Sequence, residues 1–154
     1  MAYDFFGIPV SELNVWLIWI LPFAAAMIIP AVGKFSKLTT GRVAVAFAAM
    51  SAISAATLFP MALGAHEIHH QIMWIDAIGL KAGVLADPLS VIMSNVVGWI
   101  SFLIMCYSTG YMKGDKDITR FWFWMMFFIG SMQLIILSDN LLQVFFGWEG
   151  VGLA

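Results

Sequence analysis

Apolar residues run in long blocks along this chain, each closed by a short polar stretch, and the block lengths set the first expectation. A membrane-spanning helix needs roughly 20 mainly apolar residues, within a usual range of about 17–25. Four segments meet that requirement: residues 15–32, 43–64, 89–111 and 121–137. A fifth apolar run, residues 141–154, is too short to span. The pattern predicts an all-α, polytopic bundle of four complete transmembrane helices and a truncated fifth. Between the second and third helices, short apolar runs at 72–75 and 84–86 flank Gly79 and predict a β-hairpin on the membrane surface. Asp87-Pro88 reads as a helix start, with Asp87 near the N-cap and Pro88 at the first helical position. Asp139-Asn140 reads as a turn and N-cap. Phe121 to Trp124 reads as an interfacial aromatic belt. No repeat, low-complexity tract or internal domain boundary interrupts the series.

Composition removes the alternative of a water-soluble domain. Apolar residues make up 62% of the chain and charged ones 10%, with a mean hydropathy of +0.95. Soluble domains are nearer 45–50% apolar and about 25% charged, and 154 residues have too little interior to bury such an excess. The lipid bilayer is therefore the first partner. A formal net charge of −2 without a basic patch excludes nucleic-acid binding. Cys106, the single cysteine, excludes a disulfide scaffold. Residues 1–14 carry Asp4 and Glu12 but no Lys or Arg, unlike a removable signal peptide.

Positive charge orients the bundle. Lys34, Lys37 and Arg42 fall between helices one and two, and Lys113, Lys116 and Arg120 between helices three and four. These six of the seven basic residues share one side, which the positive-inside rule places in the cytoplasm, with the N-terminus outside. Lys81 falls in the long outer loop.

Glu149 is the candidate for chemistry. If the fifth helix opens at Leu141, Glu149 stands eight residues along it, about 12 Å deep at 1.5 Å per residue. That places it near the midplane of a core roughly 30 Å thick. Ionisable groups at that depth are costly and mark ion or proton pathways. Burial favours the acid and a nearby cation favours the carboxylate, so a moving partner loads and releases a proton. The bland alternative is a permanently protonated acid bonded between helices. No Lys or Arg falls within a predicted span, so a cationic partner must come from elsewhere. Gly147, Gly150 and Gly152 surround Glu149 with small surfaces that permit close helix approach or water. Gln133, Ser131, Gln143 and Asn95 are candidates to line a hydrated path, and equally to bond helix to helix.

A second motif points elsewhere. His66-Glu67-Ile68-His69-His70 satisfies H-E-x-x-H, which on a helix sets His66 and His70 one turn apart as zinc ligands with Glu67 as base. A membrane zinc metalloprotease is thus an alternative. Its place in a surface loop, with no third ligand unless Asp76 or Asp87 folds back, favours a histidine-rich interfacial loop that holds no metal.

Several motifs together carry a resemblance. Asp87-Pro88-Leu89-Ser90, Tyr107-Ser108-Thr109-Gly110-Tyr111-Met112, Arg120-Phe121 and, above all, Gly147-Trp148-Glu149-Gly150-Val151-Gly152-Leu153 resemble the L subunit (chain-5 type) of NADH-quinone oxidoreductase, complex I. The archaeal L subunit of coenzyme F-420 dehydrogenase is similar, and Ser138-Asp139-Asn140-Leu141-Leu142-Gln143 leans toward it. The resemblance covers about residues 80–154, with Asp87, Trp148, Gly150 and Gly152 as family-motif positions. It implies an antiporter-like membrane subunit that moves protons, holds no cofactor itself and adds a non-redox part to an oxidoreductase. In such an assembly, electrons from NADH or a reduced deazaflavin reach quinone or phenazine through partner subunits carrying flavin and iron–sulfur clusters. It also implies that Glu149 is the family's helix-five glutamate, tuned by a lysine on a later helix. Family chains are several times longer, so residues 1–154 are expected to be the N-terminal transmembrane portion of a truncated or split subunit. Expected partners are its missing remainder and other membrane subunits of a complex I-type assembly in a prokaryotic plasma membrane. A subunit of a multisubunit cation/proton antiporter and a non-pumping assembly fragment are the other readings.

Overall fold

The computed structural model describes residues 4–5, 8–64, 67–76 and 79–154. Two short antiparallel strands, β1 (Asp4–Phe5) and β2 (Ile8–Pro9), lead into α1 (Val10–Gly33), α2 (Lys37–Thr57) and the one-turn α3 (Phe59–Leu63). An antiparallel hairpin of β3 (Ile68–Ile75) and β4 (Leu80–Ala86) follows, then α4 (Pro88–Tyr111), α5 (Ile118–Leu137) and α6 (Leu141–Leu153). Four helical stretches are long and apolar enough to cross a membrane, and α6 is shorter. This is the bundle expected from the block lengths, and the expected hairpin is present, with Gly79 in its turn at φ 64°.

Helix ends differ from the apolar blocks for a common reason. α1 begins at Val10 rather than 15, α2 at Lys37 rather than 43, and α5 at Ile118 rather than 121. Each added first turn is polar and so falls outside an apolar count. At α2, the Ser36 hydroxyl caps the helix by accepting from Thr39 N at 3.4 Å, and Thr40 Oγ1 donates to the Lys37 carbonyl at 2.6 Å. Lys37, Arg42 and Arg120 therefore lie in the first two turns of spanning helices, not in the loops. α2 stops at Thr57 rather than 64, because Pro60 has no N–H to continue the ladder. Trp122 also departs from expectation. It is 1% exposed and packs inside the bundle, so it belongs to no interfacial belt.

The bundle core has two apolar clusters with a polar layer between them. Val15, Ile18, Ala55, Val91 and Leu137 join the first, toward the hairpin. Ala25, Ala48, Met105, Trp122 and Ile129 join the second, toward the basic loops. Between them, Ser94 Oγ donates to Gln133 Oε1 at 2.8 Å, and Gln133 Nε2 donates back to the Ser94 carbonyl at 3.0 Å. Helices come close there because the side chains are small: a Cβ on Gly98 of α4 would lie 3.3 Å from Ala52 Cα of α2.

Pro22 explains a further contact in this layer. A helical residue 22 would donate its N–H to the carbonyl of Ile18, and proline has none. The Ser51 hydroxyl of α2 donates to that same carbonyl at 2.6 Å, in the buried core. Ser51→Ala should lower unfolding free energy by about 1 kcal/mol. In a Pro22→Ala background, where the backbone N–H returns, most of that loss should vanish. A double-mutant cycle of unfolding in mixed micelles reads the coupling, and equal losses in both backgrounds would refute this role for Ser51.

Candidate functional site

The α5–α6 turn sets where Glu149 stands. Asn140 is the N-cap of α6, its Oδ1 accepting from Gln143 N at 2.9 Å. Gln143, Gly147 and Gly150 recur at spacings of four and three, which lines them along one helix face, and all three are buried. That face meets α5. A Cβ on Gly147 would lie 2.7 Å from Ile135 Cγ1 and 3.0 Å from the Ser131 carbonyl, and one on Gly150 would overlap the Ser131 hydroxyl. Only glycine allows this approach. Glu149 lies about 160° around the helix from Gly147, at about 100° per residue, and is exposed. Trp148, at 69% exposure, is turned outward too, and a Cβ on Gly152 would meet nothing within 4 Å.

Depth follows from the same contacts. Gly150 abuts Ser131 and Phe127 of α5, which runs from Ile118 to Leu137, so Glu149 is level with the middle of a full spanning helix. Among the described residues no hydrogen bond or ion pair reaches Glu149. Arg120 is about 12 Å away along the α5 axis at 1.5 Å per residue. The carboxyl thus faces away from the bundle at mid-depth, with its partner surface unfilled by this chain's described residues.

The remaining polar candidates do not gather around it. Gln133 and Ser131, both 0% exposed, are bonded to Ser94 and to the Phe127 carbonyl respectively. Gln143 Oε1 accepts from Gly83 N at 3.0 Å. Asn95 Nδ2 donates to the Ala55 and Val91 carbonyls, both at 2.9 Å. These are helix-to-helix and helix-to-hairpin bonds rather than a continuous line to Glu149. Asp87 caps α4: its Oδ1 accepts from Ser90 N at 2.7 Å and from the Ser90 hydroxyl. Those bonds hold its carboxyl below the usual range.

The histidines serve the hairpin. Residue 66 lies outside the described residues, and residues 68–75 form a strand, so His70 does not stand on the helix that H-E-x-x-H requires. His70 Nδ1 accepts from Trp16 Nε1 at 3.1 Å, and its Nε2 lies 3.5 Å from Glu12. Among the described residues no three His, Cys, Asp or Glu side chains gather as a metal site. His69 Nε2 lies 3.2 Å from Asp139 Oδ2, and Gln71 Nε2 donates to that oxygen at 2.7 Å. This clamp between β3 and the α5–α6 turn joins residues 68 and 70 positions apart, and no local signal announces it. Gly83 completes it, because a Cβ there would overlap the Asp139 carboxyl.

Comparison with known proteins supplies the context for this site. Residues 73–122 match the family model of NADH-ubiquinone oxidoreductase (complex I), chain 5 N-terminus. The chain is 37% identical to NADH-quinone oxidoreductase subunit L of Rickettsia bellii, over 89% of this chain and 22% of that protein. It is 36% identical to subunit L of Mycobacterium tuberculosis, over 90% of this chain and 23% of that protein. Similarity extends to the chloroplastic NAD(P)H-quinone oxidoreductase subunit 5 of Spinacia oleracea, at 34% identity over 90% of this chain and 20% of that protein. The chain therefore spans about a fifth of the length of these relatives. It is a multi-pass membrane homologue of the subunit L and chain 5 family.

The hairpin clamp should depend on pH through Asp139. Burial works against its charge, but hydrogen bonds from Gln71, His69 and Asn140 outweigh that and hold the carboxyl below its ordinary value of 3.8. A depressed carboxylate stabilises the fold above its unfolded pKa, and that contribution is lost as pH falls through the lower folded value. Protection of the Gly83 amide from hydrogen exchange should therefore hold at neutral pH and fall below about pH 4. Asp139→Asn should show weak protection at every pH. An acid-insensitive Gly83 amide in the parent chain would exclude the clamp.

Proposed function

We propose that this chain contributes to proton translocation in a complex I-type oxidoreductase, with Glu149 as its proton-exchanging group. The observation that carries the reading is the placement of one exposed carboxyl at mid-depth of the bundle, turned away from α5 and bonded to none of the described residues. A carboxyl there is costly unless a partner stabilises it. The cation that would draw it toward the carboxylate comes from an adjoining helix of the full-length subunit or from another subunit. When that cation approaches, the acid releases its proton, and when it withdraws, the carboxylate takes one up. Gly147 and Gly150 hold α6 close to α5, so Glu149 meets its partner from a fixed height.

Electron transfer belongs to other subunits in this reading. Flavin and iron–sulfur clusters carried there pass electrons from NADH or a reduced deazaflavin to quinone or phenazine. This chain brings no redox centre and supplies the membrane work. In this reading, by the positive-inside rule, Lys34, Lys37, Arg42, Lys113, Lys116 and Arg120 face the cytoplasmic side of a prokaryotic plasma membrane. The hairpin and the N-terminus then face the outside.

Glu149→Gln tests the assignment, placed in the subunit of full family length within the assembled oxidoreductase. The amide keeps the volume and cannot ionise. Proton pumping per electron should be abolished or fall at least about tenfold, a loss of at least about 1.4 kcal/mol in transition-state terms, while the assembled complex is retained. Full pumping by the variant would remove Glu149 from the pathway.

A further inference from the structure

The basic face of the bundle holds a second candidate site, unrelated to Glu149. The start of α2, the end of α4 and the start of α5 meet there around a cavity of about 470 Å3. Lys37, Arg42 and Lys113 line it, and no acidic residue does. Asp115 borders the adjoining hollow, where its Oδ1 accepts from Asp117 N at 2.7 Å. Among the described residues none of the Lys or Arg side chains is in an ion pair. Lys37 Nζ donates to the Lys116 carbonyl at 2.9 Å, which draws the α4–α5 loop against α2 and leaves the ammonium two further donors.

Beneath these charges lies an unsatisfied donor. Trp122 lines the same cavity and is 1% exposed, and its indole Nε1 has no acceptor among the described residues. Buried donors are rarely left unpaired, and each exception calls for a specific cause. Gly41 also lines the cavity, and a Cβ there would lie 3.3 Å from Trp122 Nε1 and 3.0 Å from its Cζ2. The missing side chain lets α2 pack directly on the indole, which seats Trp122 beneath the cations. Three uncompensated cations and one orphaned N–H donor describe a receptor for an oxyanion with several acceptor oxygens.

The geometry points to a binding site for the phosphate of an anionic phospholipid headgroup. Phosphate suits the donor set, because the Arg42 guanidinium takes two oxygens side by side while the two lysines act as point charges. Depth selects the lipid over a free anion, since the cavity opens where three spanning-helix ends meet the headgroup layer. Leu38, 71% exposed, and Ile118 form its apolar rim, where an acyl chain leaves the phosphate for the bilayer. The bound phosphate would tie α2, α4 and α5 together at the face opposite the hairpin.

The full chain, reconstituted in phosphatidylcholine nanodiscs with added phosphatidylglycerol, tests this site. Native mass spectrometry after partial delipidation should show phosphatidylglycerol retained over phosphatidylcholine by at least about tenfold. The combined change Lys37→Gln, Arg42→Gln and Lys113→Gln should abolish the preference. Lys37→Arg with Lys113→Arg should keep it, and so should Lys34→Gln, which removes a surface charge outside the cavity. In parallel, the 15N-indole resonance of Trp122 should move when phosphatidylglycerol is added and stay still with millimolar inorganic phosphate. No headgroup preference, or a preference that survives the triple change, overturns the site. An indole response to inorganic phosphate without lipid retention overturns the lipid and leaves a free-anion site.

Discussion

Gln133 and Ser94 bond to each other in both directions at the centre of the bundle, and the constraint behind that pair governs the whole arrangement. Hydrocarbon offers no partner to a polar atom, so such an atom at depth is costly unless it finds one within the protein. Neither is there a hydrophobic drive pressing helices together when lipid is as apolar as they are. What remains is close contact through small side chains and a few internal bonds. α2, with Ala44, Ala48, Ser51, Ala52 and Ala55 buried along one side, provides the first. The layer of Ser51, Ser94 and Gln133 between two apolar clusters provides the second. Register between α1 and α2, and between α4 and α5, follows, because a shift by one turn would strand each of these groups.

That fixed register passes outward to Glu149 through the turn at Asp139 and Asn140. The hairpin grips this turn with Gln71 and His69 on Asp139, the Gly83 amide on Gln143, and Asn140 Nδ2 on the Lys81 carbonyl at 3.2 Å. α6 leans mainly on α5, and the hairpin holds its first half through Gly83 on Gln143 and Trp74 against Phe146. Gly147 and Gly150 then carry the contact down to mid-depth. The glycine pattern around Glu149 thus divides its helix in two. One side is smooth enough to pack, and the other presents Trp148 and Glu149 to whatever lies beside it.

Span number, the hairpin and the start of α4 at Asp87-Pro88 were legible in the chain, since each depends on local pattern. So was the close approach of α6 through Gly147 and Gly150, whereas Gly152 faces open space. The polar first turns at Val10, Lys37 and Ile118 were not, because an apolar count passes over polar helix starts. Trp122 misled for a related reason: aromatic residues near a helix end suggest an interface, and only the space left by Gly41 draws this one inside. The pairings His69 with Asp139, Trp16 with His70, and Gly83 with Gln143 span 54 to 70 positions, a separation at which residue patterns carry no information.

The proline at position 22 also constrains how the bundle is built. A lone α1 in the bilayer would carry naked carbonyls at Ile18 and Ala26, four residues before Pro22 and Pro30, and the hydroxyl of Ser51 on the next helix covers the first. Helices one and two are therefore better delivered to the membrane as an antiparallel pair than one after the other. The short link between them, residues 34–36, makes that joint entry geometrically easy during synthesis. A feature that looks like a flaw in α1 thus becomes an instruction about the order of assembly.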